Sequence, residues 1–168
     1  MLSNSRTAAA GGVWPRTTAS WVQAWWPVAL GVCVIAMEST AYFGTDHTSG
    51  PLRRIYQALF GTVSDPSWDE IHHLVRKSGH FIAYGLIGIA WLRAWRLTFP
   101  RLRFIADFLL MLLGTCALAS WDEWHQSLLP NRGSSPWDVL LDCSGATILS
   151  LIAYFVLRGI GAQRPSQR

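Results

Sequence analysis

The run Phe104-Ile-Ala-Asp-Phe-Leu-Leu-Met-Leu-Leu-Gly-Thr-Cys-Ala-Leu-Ala-Ser-Trp121-Asp-Glu-Trp124 decides the class of fold. Between Asp107 and Asp122 it carries no charge. A hydrocarbon core needs about 20 mostly apolar residues per helix, and this stretch supplies them. Its end holds two tryptophans, whose amphipathic rings favour a membrane–water interface. Working outward, three more stretches qualify: Trp21 to Tyr42, Lys77 to Trp95 and Trp137 to Leu157. The expectation is an all-α polytopic membrane protein with four transmembrane helices.

Composition agrees. Of the 168 residues, 51% are hydrophobic and only 14% are charged, where soluble domains carry about 25%. Ten residues are Trp. This excludes a disordered chain, an ordinary soluble enzyme and a secreted disulfide scaffold. The net charge is +4, and all but one of the 14 basic residues are Arg. Those Arg residues flank apolar runs and do not stripe a helix, so nucleic acid is not an expected partner. Cys33, Cys116 and Cys143 are odd in number, match no metal spacing and fall in apolar stretches, so they read as small buried hydrophobes. No metal and no cofactor is expected.

The placement of Lys and Arg sets an orientation. With the N-terminus cytoplasmic, nine basic residues lie inside and five outside. Arg93, Arg96, Arg101 and Arg103 crowd the short inside loop without an acid among them. The expected organisation is a disordered cytoplasmic tail over 1–20, a membrane domain over 21–158 and a cytoplasmic tail over 159–168. No small-x-small cleavage site follows Ala36, so the first span reads as a retained anchor. Trp21, Trp25, Trp26, Trp91 and Trp95 would line the inner interface; Trp68, Trp121, Trp124 and Trp137 would line the outer one.

The longest connection, Gly44 to Arg76, is then outside. After Pro51, the residues Leu52, Ile55, Tyr56, Leu59 and Phe60 recur at helical spacing, and Gly61 would end the turn. That predicts a short amphipathic helix on the outer membrane surface. Ser67 with Glu70 has the spacing of a capping box, a second helix start.

Polar residues sort by side. Nine of the ten acids and all five His fall in the outer half. The exception, Asp107, follows Arg103 by four residues and would form an i,i+4 ion pair. Some of the outer groups lie within the spans. Glu38 is about 25 Å along its helix from Trp21. His73, Lys77, His80 and Tyr84 share one helical face; so do Glu123 and Gln126, Asp122 and Gln126, and Asp138 and Asp142. An ionisable group facing lipid costs at least about 2.5 kcal/mol. Glu38, His80, Tyr84, Glu123, Gln126 and Asp142 are therefore expected to turn inward as a polar pocket open to the outer face. Plainer readings stand beside this. Arg76 and Lys77 can snorkel to headgroups. Asp122 can be solvated at the interface. Asp138, third after Ser135 with Pro136 between, can serve a helix start. Arg132, in the turn Pro130-Asn131-Arg132-Gly133, can contact lipid phosphate.

Arg76-Lys77-Ser78-Gly79-His80-Phe81-Ile82-Ala83-Tyr84 resembles the RK-x-x-HF-x-x-Y motif of VanZ-like membrane proteins. Asp122-Glu123-Trp124-His125-Gln126, then Pro130-Asn131-Arg132, Ser135-Pro136-Trp137-Asp138-Val139, Asp142 and Gly145-Ala146 resemble that family's further motifs in the same order. Glu38-Ser39-Thr40 and His47-Thr48-Ser49 resemble an extension seen in one branch. Asn131 stands in place of the usual Gly, Ala83 in place of a frequent Glu, and Leu149 in place of a second Gly. The resemblance implies a cell-envelope protein of a family named for raised resistance to the glycopeptide teicoplanin.

Three function classes follow. A binding or accessory protein would hold an anionic lipid-linked or cell-wall precursor group, a phosphate for example, through Arg76, Lys77, His80 and Arg132. A membrane-embedded hydrolase or transferase on lipid-linked phosphate would use His80 as nucleophile or acid/base, with Glu123 or Asp142 orienting it. A purely structural polar core would join the four helices and hold no ligand. The candidate ligand-binding set is Glu38, Arg76, Lys77, His80, Tyr84, Asp122, Glu123, Gln126, Arg132, Asp138 and Asp142. Surrounding membrane lipids are the other expected partner.

Overall fold

A computed structural model describes residues 18–129 and 133–162. Arg132, most of the N-terminal tail and the last six residues lie outside the described residues. The elements are α1 (Thr18–Glu38), a 3-10 turn (Ala41–Phe43), α2 (Thr45–Phe60), α3 (Asp65–Thr98), α4 (Phe104–Ser127) and α5 (Pro136–Ala162). Among the described residues there is no strand.

Several boundaries move from the sequence expectation. Helix α1 begins at Thr18, inside the segment assigned to the tail, and α5 runs to Ala162. Helix α2 starts at Thr45 and runs through Pro51. It stops at Gly61, which has φ 87°, a left-handed conformation that glycine adopts without a Cβ penalty. Helix α3 starts at Asp65 after Ser64, with Pro66 in its first turn; Ser67 hydrogen-bonds Ser64 and caps nothing.

Helices α1, α3, α4 and α5 form a bundle with alternating direction. At one end Trp25 Nε1 donates to Thr98 Oγ1 at 3.0 Å, and the Phe104 and Tyr154 rings lie 3.9 Å apart. At the other, Ser39 Oγ meets His125 Nδ1 at 2.9 Å, and Lys77 Nζ reaches Asp138 at 2.7 Å. Helix α3 is central and packs most extensively on α5. Small residues set that crossing. A Cβ on Gly145 would collide with the Phe81 carbonyl, and one on Gly88 would fall 2.8 Å from the Ala146 Cβ. Backbones approach this closely only where side chains are absent. Around the crossing pack Ile35, Tyr84, Ile87 and Ala119, then Leu92, Met111 and Ala146.

The bundle is apolar outside. Leu86, Leu113, Ile152 and Phe155 are all exposed. Among the described residues, three segments are long and apolar enough to cross a membrane: Ser20–Glu38, Phe104–Ser127 and Pro136–Ile160. Helix α3 is not among them; Gly79, His80, Tyr84, Trp91 and Arg93 dilute its apolar run. The cysteines depart from expectation, because Cys33 and Cys116 are exposed on this apolar exterior.

The end holding Trp25 is knitted by aromatics and arginines. Trp25 meets Trp91 and Trp95 edge to face, at 5.6 and 4.8 Å. These half-buried rings fill the space between helices at that end. Trp68 is buried, stacked on His72 with Nε1 donating to Ser49 at 2.7 Å. Asp107 does not pair with Arg103. Its cation is Arg96 of α3, at 3.9 Å, and Arg96 also lies over the Phe104 and Tyr154 rings.

Candidate functional site

At the opposite end, α3, α4, the start of α2 and the start of α5 enclose a pocket of about 370 Å³. Helix α3 contributes His73, Arg76, Lys77 and His80; α4 contributes Glu123 and Gln126; the α4–α5 connection contributes Gly133 to Ser135; α5 contributes Asp138. The spacing on α3 explains its share. His73, Lys77 and His80 are separated by four and three residues, so they rise on one face.

The carboxylates around this pocket are engaged or covered. Asp138 accepts from Lys77 at 2.7 Å. Glu123, buried, accepts from the backbone N–H of Ser135 at 2.9 Å, which fastens the end of α4 to the start of α5. Asp142 is fully buried beneath His80, with Oδ1 3.6 Å from His80 Nδ1, just beyond hydrogen-bond length. Neither Asp142 oxygen has a hydrogen-bond partner among the described residues. Below, Tyr84 donates its hydroxyl proton to Asp122 at 3.2 Å, and both are buried. Asp122 is therefore not solvated at an interface. Tyr84, Asp122 and Asp142 form the polar floor under the pocket, not its wall.

Two basic side chains are tied to other elements. Lys77 is ion-paired with Asp138, and Arg76 Nη1 donates to Thr45 Oγ1 at 2.5 Å. Asp138 does more than start a helix, because Ser135 caps that start by accepting from Trp137 N–H at 3.2 Å. Asp138 is left for Lys77.

Glu38 lines a neighbouring cleft and not this pocket. That cleft, of about 150 Å³, is shared with Phe43, Thr48, Leu52 and Gly79, and Arg76 and His80 border both spaces. The polar region is thus divided, with α2 and Arg76 along the divide. The stretch from Ser39 to Ser49 proves to be a set of joints: Ser39 to His125, Thr48 Oγ1 to His72 Nε2 at 3.1 Å, and Ser49 to Trp68. Burial, with Arg76 nearby, holds the His72 imidazole below the ordinary histidine range. Sequence reasoning missed Thr45 and the Ser135 amide. Nothing in the spacing marks a threonine thirty-one residues from its arginine, or a backbone group.

No cluster of three or more metal-ligating side chains exists among the described residues. Donors and acceptors here suit a polar or anionic group with hydrogen-bonding oxygens.

Membrane-length apolar helices around a polar pocket at one end define an all-α membrane protein with a buried ionisable site. The VanZ/LLP1 family model matches residues 25–158, so the chain belongs to that family. Neither the comparison with curated proteins nor that with solved structures gives a match.

Proposed function

We propose that this protein spans the bacterial inner membrane four times, with both termini cytoplasmic, and binds an anionic headgroup of a lipid-linked or cell-wall precursor in the outer pocket. The observation that carries the reading is the convergence of His73, Arg76, Lys77 and His80 on one cavity, where Glu123 is held by the Ser135 amide and Asp138 offsets Lys77 alone. Guanidinium and ammonium groups there suit phosphate oxygens. Helix α3 is read as the fourth crossing because its Lys77–Thr98 part covers the same height as α4 and α5. Its first turns then stand outside the hydrocarbon, since 34 residues reach about 51 Å. Helix α2, with Ile55, Leu59 and Phe60 exposed, would rest on the outer surface. Through the family, the proposal extends to an accessory part in glycopeptide (teicoplanin) resistance.

One observation favours a second reading. His80 is backed by the buried Asp142 at the pocket floor, an arrangement that can orient an imidazole as general base or nucleophile in a hydrolase or transferase on lipid-linked phosphate.

The test is thermal stability in neutral detergent with polyprenyl phosphate. The expected result is a rise in melting temperature that Arg76→Ala and His80→Ala each reduce, with the ligand-free melting point of at least one variant kept. No rise in the wild type sinks the binding reading. Release of phosphate from polyprenyl diphosphate, lost in His80→Ala, would favour the enzyme.

A further inference from the structure

Below the Gly88–Ala146 contact, α3 and α5 separate, and a groove of about 600 Å³ opens between them at the bundle end opposite the polar pocket. Its walls are mostly apolar, with Leu92 from α3 and Ala153 and Leu157 from α5, broken by Ser150 and Tyr154. Its rim is cationic, with Arg93 and Arg96 on one side and Arg158 on the other. We propose that this groove is a binding site for an anionic glycerophospholipid, with the phosphate on the arginine rim and an acyl chain along the apolar walls.

Three observations support it. The first is charge. Three arginines line the groove, Arg93 with one guanidinium nitrogen turned to α1, and the acid beside them, Asp107, is buried behind Arg96 at 3.9 Å. The rim is therefore net positive at the height where headgroups lie. Basic pockets between membrane helices on the cytoplasmic side are suited to acidic lipids. The second is donor supply. Arg93 gives Nη1 to the carbonyls of Gln23 and Ala24, and Arg158 gives Nη1 to the Tyr154 hydroxyl at 3.2 Å. Each guanidinium has five N–H donors, so several remain for phosphate oxygens. The third is shape. The groove starts just past the small-residue crossing, so its apolar part points toward the membrane centre and its arginines toward the surface. A lipid enters in that orientation. A free phosphate would use the rim and leave the apolar walls empty.

The inference rests on α3 and α5 both crossing the membrane, but not on what fills the outer pocket. The test uses the full chain in neutral detergent, with phosphatidylglycerol and phosphatidylcholine of the same chains added in parallel, and inorganic phosphate as a third arm. Phosphatidylglycerol should raise the melting temperature clearly more than phosphatidylcholine, and inorganic phosphate should not. Arg158→Gln, at the exposed end of α5, should keep the lipid-free melting point and weaken apparent phosphatidylglycerol affinity about ten-fold. Ala153→Phe should fill the groove and remove the preference. Equal stabilisation by the two lipids would overturn the proposal. So would an inorganic phosphate effect as large as that of phosphatidylglycerol, or a preference that survives both substitutions. A preference lost in Lys77→Ala but kept in Arg158→Gln would move the lipid to the outer pocket and end the proposal too.

Discussion

Pro27 has no N–H to give to the carbonyl of Gln23, four residues earlier in α1. Arg93 of α3 supplies the missing donor, with Nη1 2.9 Å from the Gln23 oxygen and 3.1 Å from that of Ala24. A hydrogen bond from a charged donor contributes up to about 1.5–3 kcal/mol, and here the Gln23 contact is exposed and the Ala24 contact part-buried, which sets it near the lower end. Arg93→Ala should therefore destabilise the fold by about that amount. Adding Pro27→Ala should recover part of the loss, because the restored backbone N–H would then bond the Gln23 carbonyl itself. A double-mutant cycle read by thermal unfolding checks this; strict additivity of the two changes would show that the pair is not coupled. At this scale the sequence was half legible. Helical spacing put His73, Lys77 and His80 on one face, because residues three and four apart must share one. It gave Asp107 the wrong partner for the same reason. Spacing sees Arg103 on the same helix and cannot see Arg96 on another. The Tyr84–Asp122 bond was hidden likewise.

Among elements, the α3–α5 crossing holds the site together. It sets Lys77 against Asp138 and His80 above Asp142, so the pocket depends on Gly145 having no side chain. Gly145→Ala should cost about 1–3 kcal/mol through forced separation of the helices, despite alanine's better helix propensity. Gly159→Ala, with nothing near its Cβ position, should be neutral or slightly stabilising. Comparing the two variants by thermal unfolding removes the propensity effect; equal behaviour would mean that the crossing is not tight. Helix existence was legible because each apolar run is long. Helix ends were less so. Thr45 to Gly50 carries no apolar repeat, and its place in α2 comes from packing Thr48 and Ser49 against α3. Pro51 looked like a start and is an interior residue.

At the scale of the whole molecule, the sorting of acids and histidines to one end follows the site: ionisable groups cluster where the bundle can enclose them, and arginines and tryptophans close the other end. The sequence carried that polarity in plain view. It did not carry the division of the polar region, in which Glu38 lines a separate cleft that shares Arg76 and His80 with the main pocket. The central claim is that α3 crosses the membrane and turns the pocket outward. Labelling of single cysteines by an impermeant maleimide in intact cells, with Cys33, Cys116 and Cys143 replaced, tests it most directly. Gly50→Cys in α2 and Leu102→Cys between α3 and α4 are both at exposed positions. The account expects Gly50→Cys to be labelled from outside and Leu102→Cys only after lysis. Labelling of both from the same side would mean that α3 does not cross, and labelling of Leu102→Cys alone would turn the pocket to the cytoplasm; either contradicts it.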